Sequence, residues 1–170
     1  IGGIVLSYIW LMIFNSVLSN FSKTIVSTQW YAFWGMIIVV CWQQIGYMMI
    51  IYIAGIQNIP GELIEAAKID GANSWQLLRR VTLPMLMPTI TICTFLTLTN
   101  GFKLFDQNFA LTGGNPAKMS QLLALNIYDT MYGTTGWQGV GQAKAVIFFI
   151  LVAVIALIQN KLTTSKEVQD

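Results

Sequence analysis

The sequence predicts an all-α, polytopic membrane protein, and three observations carry that reading. Of 170 residues only 16 are charged, 9 Lys or Arg and 7 Asp or Glu, about a third of the charged share of a soluble globular domain. Charge-free runs cover residues 1–22, 24–61, 81–102 and 145–160, and three of them reach the roughly 20 residues a helix needs to cross hydrocarbon. Between the runs lie segments rich in Asn, Ser, Gly and Pro, the residues of turns.

The first span is expected over about Ile1 to Leu18, with Asn15, Ser16, Ser19, Asn20 and Ser22 marking its exit into a polar segment that continues to about Gln29. Trp30, Tyr31 and Trp34 cluster at the start of the second span, as aromatic side chains do at a membrane interface. That span runs from Ala32 to about Ile56, long enough at 1.5 Å per residue to cross with some tilt. Residues 57–83 then change character, holding Glu62, Glu65, Lys68, Asp70, Arg79 and Arg80. Pro60 suits a first helical turn and Glu62 the positive end of the helix dipole, so a short helix is expected over 60–69. Gly71 ends it, and Asn73 or Ser74 caps a second short helix reaching about Thr82.

Pro84 and Pro88 open the third span, which extends to about Phe105, with a kink expected at Pro88. Residues 106–137 contain the turn Gly113, Gly114, Asn115 and Pro116, followed by an amphipathic piece over Met119 to Tyr132. Asp129 and Tyr132 on that piece are expected at the interface. Lys103 and Asp106 lie three apart and are expected to form a local ion pair. The fourth span covers Trp137 to Ile158, with Lys144 near one end, where a long side chain snorkels to the interface. Gln159 to Asp170 reads as a polar tail. The chain opens inside an apolar run without an initiator Met, so it reads as part of a longer protein.

Composition also excludes functions. A net charge of +2 on scattered Lys and Arg lacks the basic footprint of a nucleic-acid binder. The absence of His removes the commonest general base and metal ligand, so neither catalysis, metal nor cofactor is expected. Cys41 and Cys93 lie in apolar runs, where a thiol acts as a small hydrophobe. Gly113 to Ser120 contains glycines and a Lys, but not the spacing that wraps phosphates, so the chain itself is not expected to bind ATP.

Four crossings would place the 57–83 segment and the tail on one side and residues 19–31 and 106–137 on the other. Five Lys or Arg on the first side (Lys68, Arg79, Arg80, Lys161, Lys166) against four on the second (Lys23, Lys103, Lys118, Lys144) lean toward a cytoplasmic 57–83 segment.

Within that segment the spacing is specific. Glu65, Ala66 and Ala67 are followed by three residues, then Gly71, then nine residues, then Val81, Thr82, Leu83 and Pro84. This resembles the EAA motif of permease subunits of binding-protein-dependent ABC importers, with Val81 in place of Ile as the one departure. The stretches Ile59 to Ala72, Thr82 to Pro88, Phe102 to Asp106 and Leu111 to Pro116 resemble the carbohydrate branch, in particular the larger maltose-transporter permease and the first glycerol-phosphate permease. The resemblance covers essentially the whole chain. It implies a core of about six spans, so that the first two, and part of a third, lie outside this sequence. It also implies that Glu65, Ala66, Ala67, Asp70 and Gly71 dock on a cytoplasmic ATP-binding subunit. Ala66, Ala67 and Gly71 leave a helix with a thin side, and Glu65 offers a carboxylate to a basic partner.

Polar side chains inside spans usually face a bundle interior or a wet cavity. Gln43, Gln44 and Tyr47 share one face of the second span, and Thr94, Thr97 and Gly101 recur at helical spacing in the third, with Asn100 beside them. The resemblance to the maltose-type permease sets its sugar contacts in these two spans, with Tyr47 matching an aromatic contact and Thr97 a hydroxyl contact. Gln44 and Gly101 differ in residue type from the groups they match. The expected substrate path is therefore Gln44, Tyr47, Thr97, Asn100 and Gly101, although Gln and Thr also serve as hydrogen-bonding glue between helices. The expected partners are two ATP-binding subunits, a second permease, an extracytoplasmic solute-binding protein that meets the Gly113 to Pro116 turn, and the lipid bilayer of a prokaryotic cytoplasmic membrane. Glycerol phosphate or another polar solute, or a non-transporting scaffold, are the alternatives.

Overall fold

The computed structural model describes residues 2–164. They form helices α1 (Gly3–Ser19), α2 (Gln29–Gln57), α3 (Gly61–Ile69), α4 (Ser74–Leu77), a π-turn (Leu78–Thr82), α5 (Leu83–Met85), α6 (Met87–Phe102), α7 (Asp106–Leu111), α8 (Leu123–Tyr132) and α9 (Gln138–Thr164). The all-helical expectation is met. The chain divides into two compact units, one of Ile1–Gln44 with Asn100–Val152, the other of Ile45–Thr99 with Ala153–Asp170.

Among the described residues, α2 and α9 are single helices long and apolar enough to cross a membrane, and the bent pair Ser74–Met85 and Met87–Phe102 makes a third if it counts as one span. The first expected span is the 17-residue apolar helix α1, which ends at Ser19 as the sequence marks. The third ends at Phe102 rather than Phe105, because Phe105 already caps α7. The helix of the fourth continues beyond Ile158 to Thr164. Gln159 and Thr163 bond across one turn there, Nε2 to Oγ1 at 3.1 Å, which holds polar residues in the helix. The rest of the expected tail, 165–170, lies outside the described residues.

The expected kink is a 66° bend between Ser74–Met85 and Met87–Phe102. Pro84 and Pro88 flank it, each lacking a backbone donor. The bend strands little: Leu86 N–H still reaches the carbonyls of Thr82 and Leu83, at 3.0 and 3.2 Å, and Ile90 N–H reaches that of Leu86 at 3.0 Å.

In the first unit, Leu6 of α1, Met36 and Val39 of α2 and Leu111 of α7 form a buried cluster, with Trp10, Leu11, Phe14 and Leu122 packed on it. The helix α7 was not anticipated within the polar 106–137 stretch, because its buried side includes a polar residue. Asn108 is fully buried. Its amide donates to Ser120 O at 2.8 Å and Thr112 Oγ1 at 2.9 Å, and its Oδ1 accepts Leu122 N–H at 2.8 Å. One side chain thus replaces the secondary structure that the 112–122 loop lacks. For this reason the amphipathic helix α8 begins at Leu123 rather than Met119.

Other local expectations are met or overturned by specific contacts. Trp30 and Trp34 are exposed at the start of α2, as interfacial aromatics would be. Both cysteines are free, Cys41 exposed and Cys93 buried. Lys103 and Asp106 do not pair; Asp106 sits in the first turn of α7 against Gly3 instead. Tyr132 is exposed, but Asp129 accepts the Gln121 amide at 2.5 Å and is partly drawn into the fold. Lys144 is not a free snorkelling cation: its ammonium donates to Asn126 Oδ1 and Thr130 Oγ1, each at 2.8 Å.

Asn108→Leu leaves the Leu122 N–H and the Ser120 carbonyl unpaired in a buried site, where each costs about 1–3 kcal/mol. The melting temperature of the detergent-purified protein is expected to fall by several degrees; an unchanged melt would contradict the pinning role.

Candidate functional site

The EAA-like residues occupy a helical elbow in the second unit. Pro60 precedes α3, Glu62 lies in its first turn and Lys68 in its last, each charge complementing the helix dipole. The elbow's turn is fully bonded. Ala72 N–H reaches Ala67 O and Gly71 N–H reaches Lys68 O, both at 3.0 Å, the paired closure of a Schellman cap. Gly71 carries φ +79°, the left-handed conformation that glycine adopts without a Cβ penalty. Two residues on, Asn73 Oδ1 accepts Gln76 N–H and Gln76 Oε1 accepts Asn73 N–H, both at 2.9 Å. This capping box starts α4 directly after the turn. The six residues from Gly71 to Gln76 therefore both close one helix and open the next.

No residue of α3 or α4 is buried. Glu65, Ala66, Asp70 and Gly71 are exposed and Ala67 is half-buried. Leu63, Ile69 and Trp75 are exposed with them, Ile69 at 86% and Trp75 at 66%. Sequence reasoning singled out the small residues and the carboxylate but not Ile69 and Trp75. An isolated apolar residue in a charged segment gives no periodic signal.

The expected path residues divide between the two units. Gln44, Asn100 and Gly101 belong to the first, Tyr47 and Thr97 to the second. Within the first, Gln44 and Asn100 are half-buried and Gly101 is exposed. Gln43 Oε1 accepts the Gln107 amide at 2.8 Å, so Gln43 is committed to a contact between α2 and α7. Gln107 went unnoticed because it follows the expected end of the span. Within the second, Tyr47 and Thr97 are exposed. The Thr91 and Thr99 hydroxyls bond carbonyls of their own helix, those of Met87 and Phe95, at 3.0 and 2.8 Å. The Thr97 hydroxyl has no such partner among the described residues, nor do the polar groups of Gln44 and Tyr47. No group of His, Cys, Asp or Glu that could hold a metal occurs among the described residues.

Loss of the Asn73 cap through Asn73→Ala is expected to cost about 1 kcal/mol locally. Backbone amide exchange over residues 74–78 should then accelerate about fivefold, with α2 and α9 unaffected. Unchanged exchange would show that the capping box does not hold the elbow.

Comparison with known proteins places the chain. Residues 3–166 match the family model described as binding-protein-dependent transport system inner membrane component. The chain is 49% identical over 177 aligned residues to the probable starch degradation products transport system permease protein AmyD of Thermoanaerobacterium thermosulfurigenes, covering 99% of this chain and 60% of that protein. It is 39% identical over 132 residues to the multiple sugar-binding transport system permease protein MsmF of Streptococcus mutans, covering 78% and 45%. It is 32% identical over 155 residues to the trehalose/maltose transport system permease protein MalF of Thermococcus litoralis, covering 88% and 51%. The chain therefore spans about half to three fifths of the length of these relatives. In fold it is similar to a chain of a bacterial ABC transporter involved in import of the acidic polysaccharide alginate, with a TM-score of 0.81 at 21% identity, covering 97% of this chain and 61% of that one. By the family match and the identity to AmyD together, the chain belongs to the binding-protein-dependent transport system inner membrane components.

Proposed function

We propose that this chain is part of a permease subunit of an ABC importer, forming one side of a path for a sugar or oligosaccharide delivered by a solute-binding protein. The observation that carries this reading is the exposed, doubly capped elbow at Gly71, with the EAA spacing built around it. A short helix closed by a Schellman turn and continued by a capping box is a stiff lever. Its thin side at Ala66, Ala67 and Gly71 lets a partner approach the backbone, Glu65 and Asp70 offer charge, and Ile69 and Trp75 offer apolar surface. In this reading the elbow docks on a cytoplasmic ATP-binding subunit, and closure of two such subunits rocks the permease and a second permease between inward and outward openings. ATP hydrolysis belongs to those partners. The solute-binding protein meets the opposite face, near the Gly113 to Pro116 turn.

The substrate class rests on the path residues and on the relatives. Gln44, Tyr47, Thr97 and Asn100 supply amide, phenol and hydroxyl groups, and Gly101 adds no side chain. These groups suit a neutral polyhydroxylated solute. Residues 45–56 and 81–102 contain no Lys or Arg, which argues against a phosphorylated substrate. The names of the relatives, with starch degradation products, multiple sugars and trehalose or maltose as solutes, point the same way. The membrane concerned is the cytoplasmic membrane of a prokaryote.

Two experiments test the reading. The double variant Glu65→Lys with Gly71→Asp, made in the whole permease, is expected to insert normally but to lose both copurification with the ATP-binding subunit and solute uptake. Normal uptake by that variant would overturn docking. Tyr47→Ala is expected to lower uptake about tenfold while the complex still assembles and its ATPase subunits still bind. Uptake at the wild-type rate would remove Tyr47 from the path.

A further inference from the structure

Lys144 carries a charge that the import reading does not use. It lies six residues into α9, about 9 Å along the axis from Gln138, in a helix apolar enough to cross a membrane. Such a cation inside a span is costly unless paired. Here Asn126 and Thr130 of α8 take two of the three ammonium protons, and both acceptors are neutral. The carboxylate of this network, Asp129, reaches Lys144 only through Gln121 and Asn126, since Gln121 donates to Asp129 and accepts from Asn126 at 3.0 Å. Among the described residues Lys144 pairs with no carboxylate. The close approach of the two helices is built in: Gly141, one turn before Lys144, is buried against Met131, where any Cβ would collide. The ammonium is thereby held in place rather than extended to water.

A cavity of about 270 Å³ opens beside it, with Asn126, Ile147, Phe148 and Leu151 among its walls. Lys144, Ile147, Phe148 and Leu151 follow one another at helical spacing on a single face of α9. Ile147 and Leu151 are 66% and 40% exposed. The groove therefore has a fixed cation in its wall and an apolar stripe running from it along the same face of α9. We infer that it binds one anionic phospholipid, its phosphate on the free Lys144 proton and the Asn126 amide edge, and an acyl chain along Ile147 and Leu151. Charge complementarity selects the lipid over an apolar helix, which would leave the ammonium unanswered. The inference requires only that α9 cross the bilayer, and stands apart from the solute carried.

The test uses the whole permease in its assembled complex, purified in detergent, with thermal stability titrated against phosphatidylglycerol, phosphatidylcholine and inorganic phosphate. Phosphatidylglycerol is expected to raise the melting temperature by about 5 °C at saturation, and the other two to do far less. Lys144→Met should weaken the apparent affinity for phosphatidylglycerol about fivefold, whereas Lys144→Arg retains it. Because Lys144→Met also removes the bonds to α8, a second variant, Leu151→Trp, fills the groove and leaves Lys144 intact; it too should lose the phosphatidylglycerol effect. Equal stabilisation by phosphatidylcholine, a shift reproduced by inorganic phosphate, or full retention in both Lys144→Met and Leu151→Trp would overturn the site. No response to phosphatidylglycerol in the assembled complex would show that a partner subunit covers the groove, and would overturn it equally.

Discussion

The structure depends on one constraint: inside hydrocarbon, backbone amides and carbonyls must be satisfied by the chain itself. With 16 charges in 170 residues, this chain has little water-facing surface, and helices are its means of meeting that demand. The same demand disposes of hydroxyls within the helices. Ser7 bonds the Gly3 carbonyl, Thr91 that of Met87 and Thr99 that of Phe95, at 2.7 to 3.0 Å. It also governs the ends, where up to four donors or acceptors lack helical partners. At Gly71 the turn itself completes the missing bonds, and the break at Leu86 is flanked by Pro84 and Pro88, which never had a donor to lose.

The charged 57–83 segment is where the constraint relaxes and geometry becomes available for a partner. Its stiffness comes from local bonds rather than from burial, since neither α3 nor α4 buries a residue. A lever that owes its shape to its own caps can be exposed entirely and still hold its angle. In the proposed function, that property is what the docking role asks of the elbow. The opposite strategy appears in the 112–122 loop, where buried Asn108 supplies the order that the loop backbone cannot supply itself.

Much of this was legible in the sequence. Gly71 and Asn73 announce a stop and a start through well-defined backbone chemistry, and the structure meets both expectations. The bend at the third span was readable from Pro88. Lys144 was misread because an interfacial Lys ordinarily extends to water; its partners, Asn126 and Thr130, are 18 and 14 residues away and give no local sign. Helix α7 was missed for a related reason, its buried face being organised around the polar Asn108. The exit of the first span was, by contrast, legible, since Ser19 and Asn20 end the apolar run and α1 stops there, with Asn20 as its C-cap. The path residues rest on polarity within the spans and on the resemblance to the maltose-type permease. Among the described residues Gln43 is bonded to Gln107, whereas the polar groups of Gln44, Tyr47 and Thr97 are open.

The most direct measurement concerns the side of the membrane that the elbow faces. A single cysteine placed at Ile69, with Cys41 and Cys93 replaced by Ser, is labelled with a membrane-impermeant maleimide in right-side-out and inside-out vesicles. The account predicts labelling only in inside-out vesicles, and protection there when the ATP-binding subunit is present. Labelling in right-side-out vesicles, or no protection by that subunit, would contradict it.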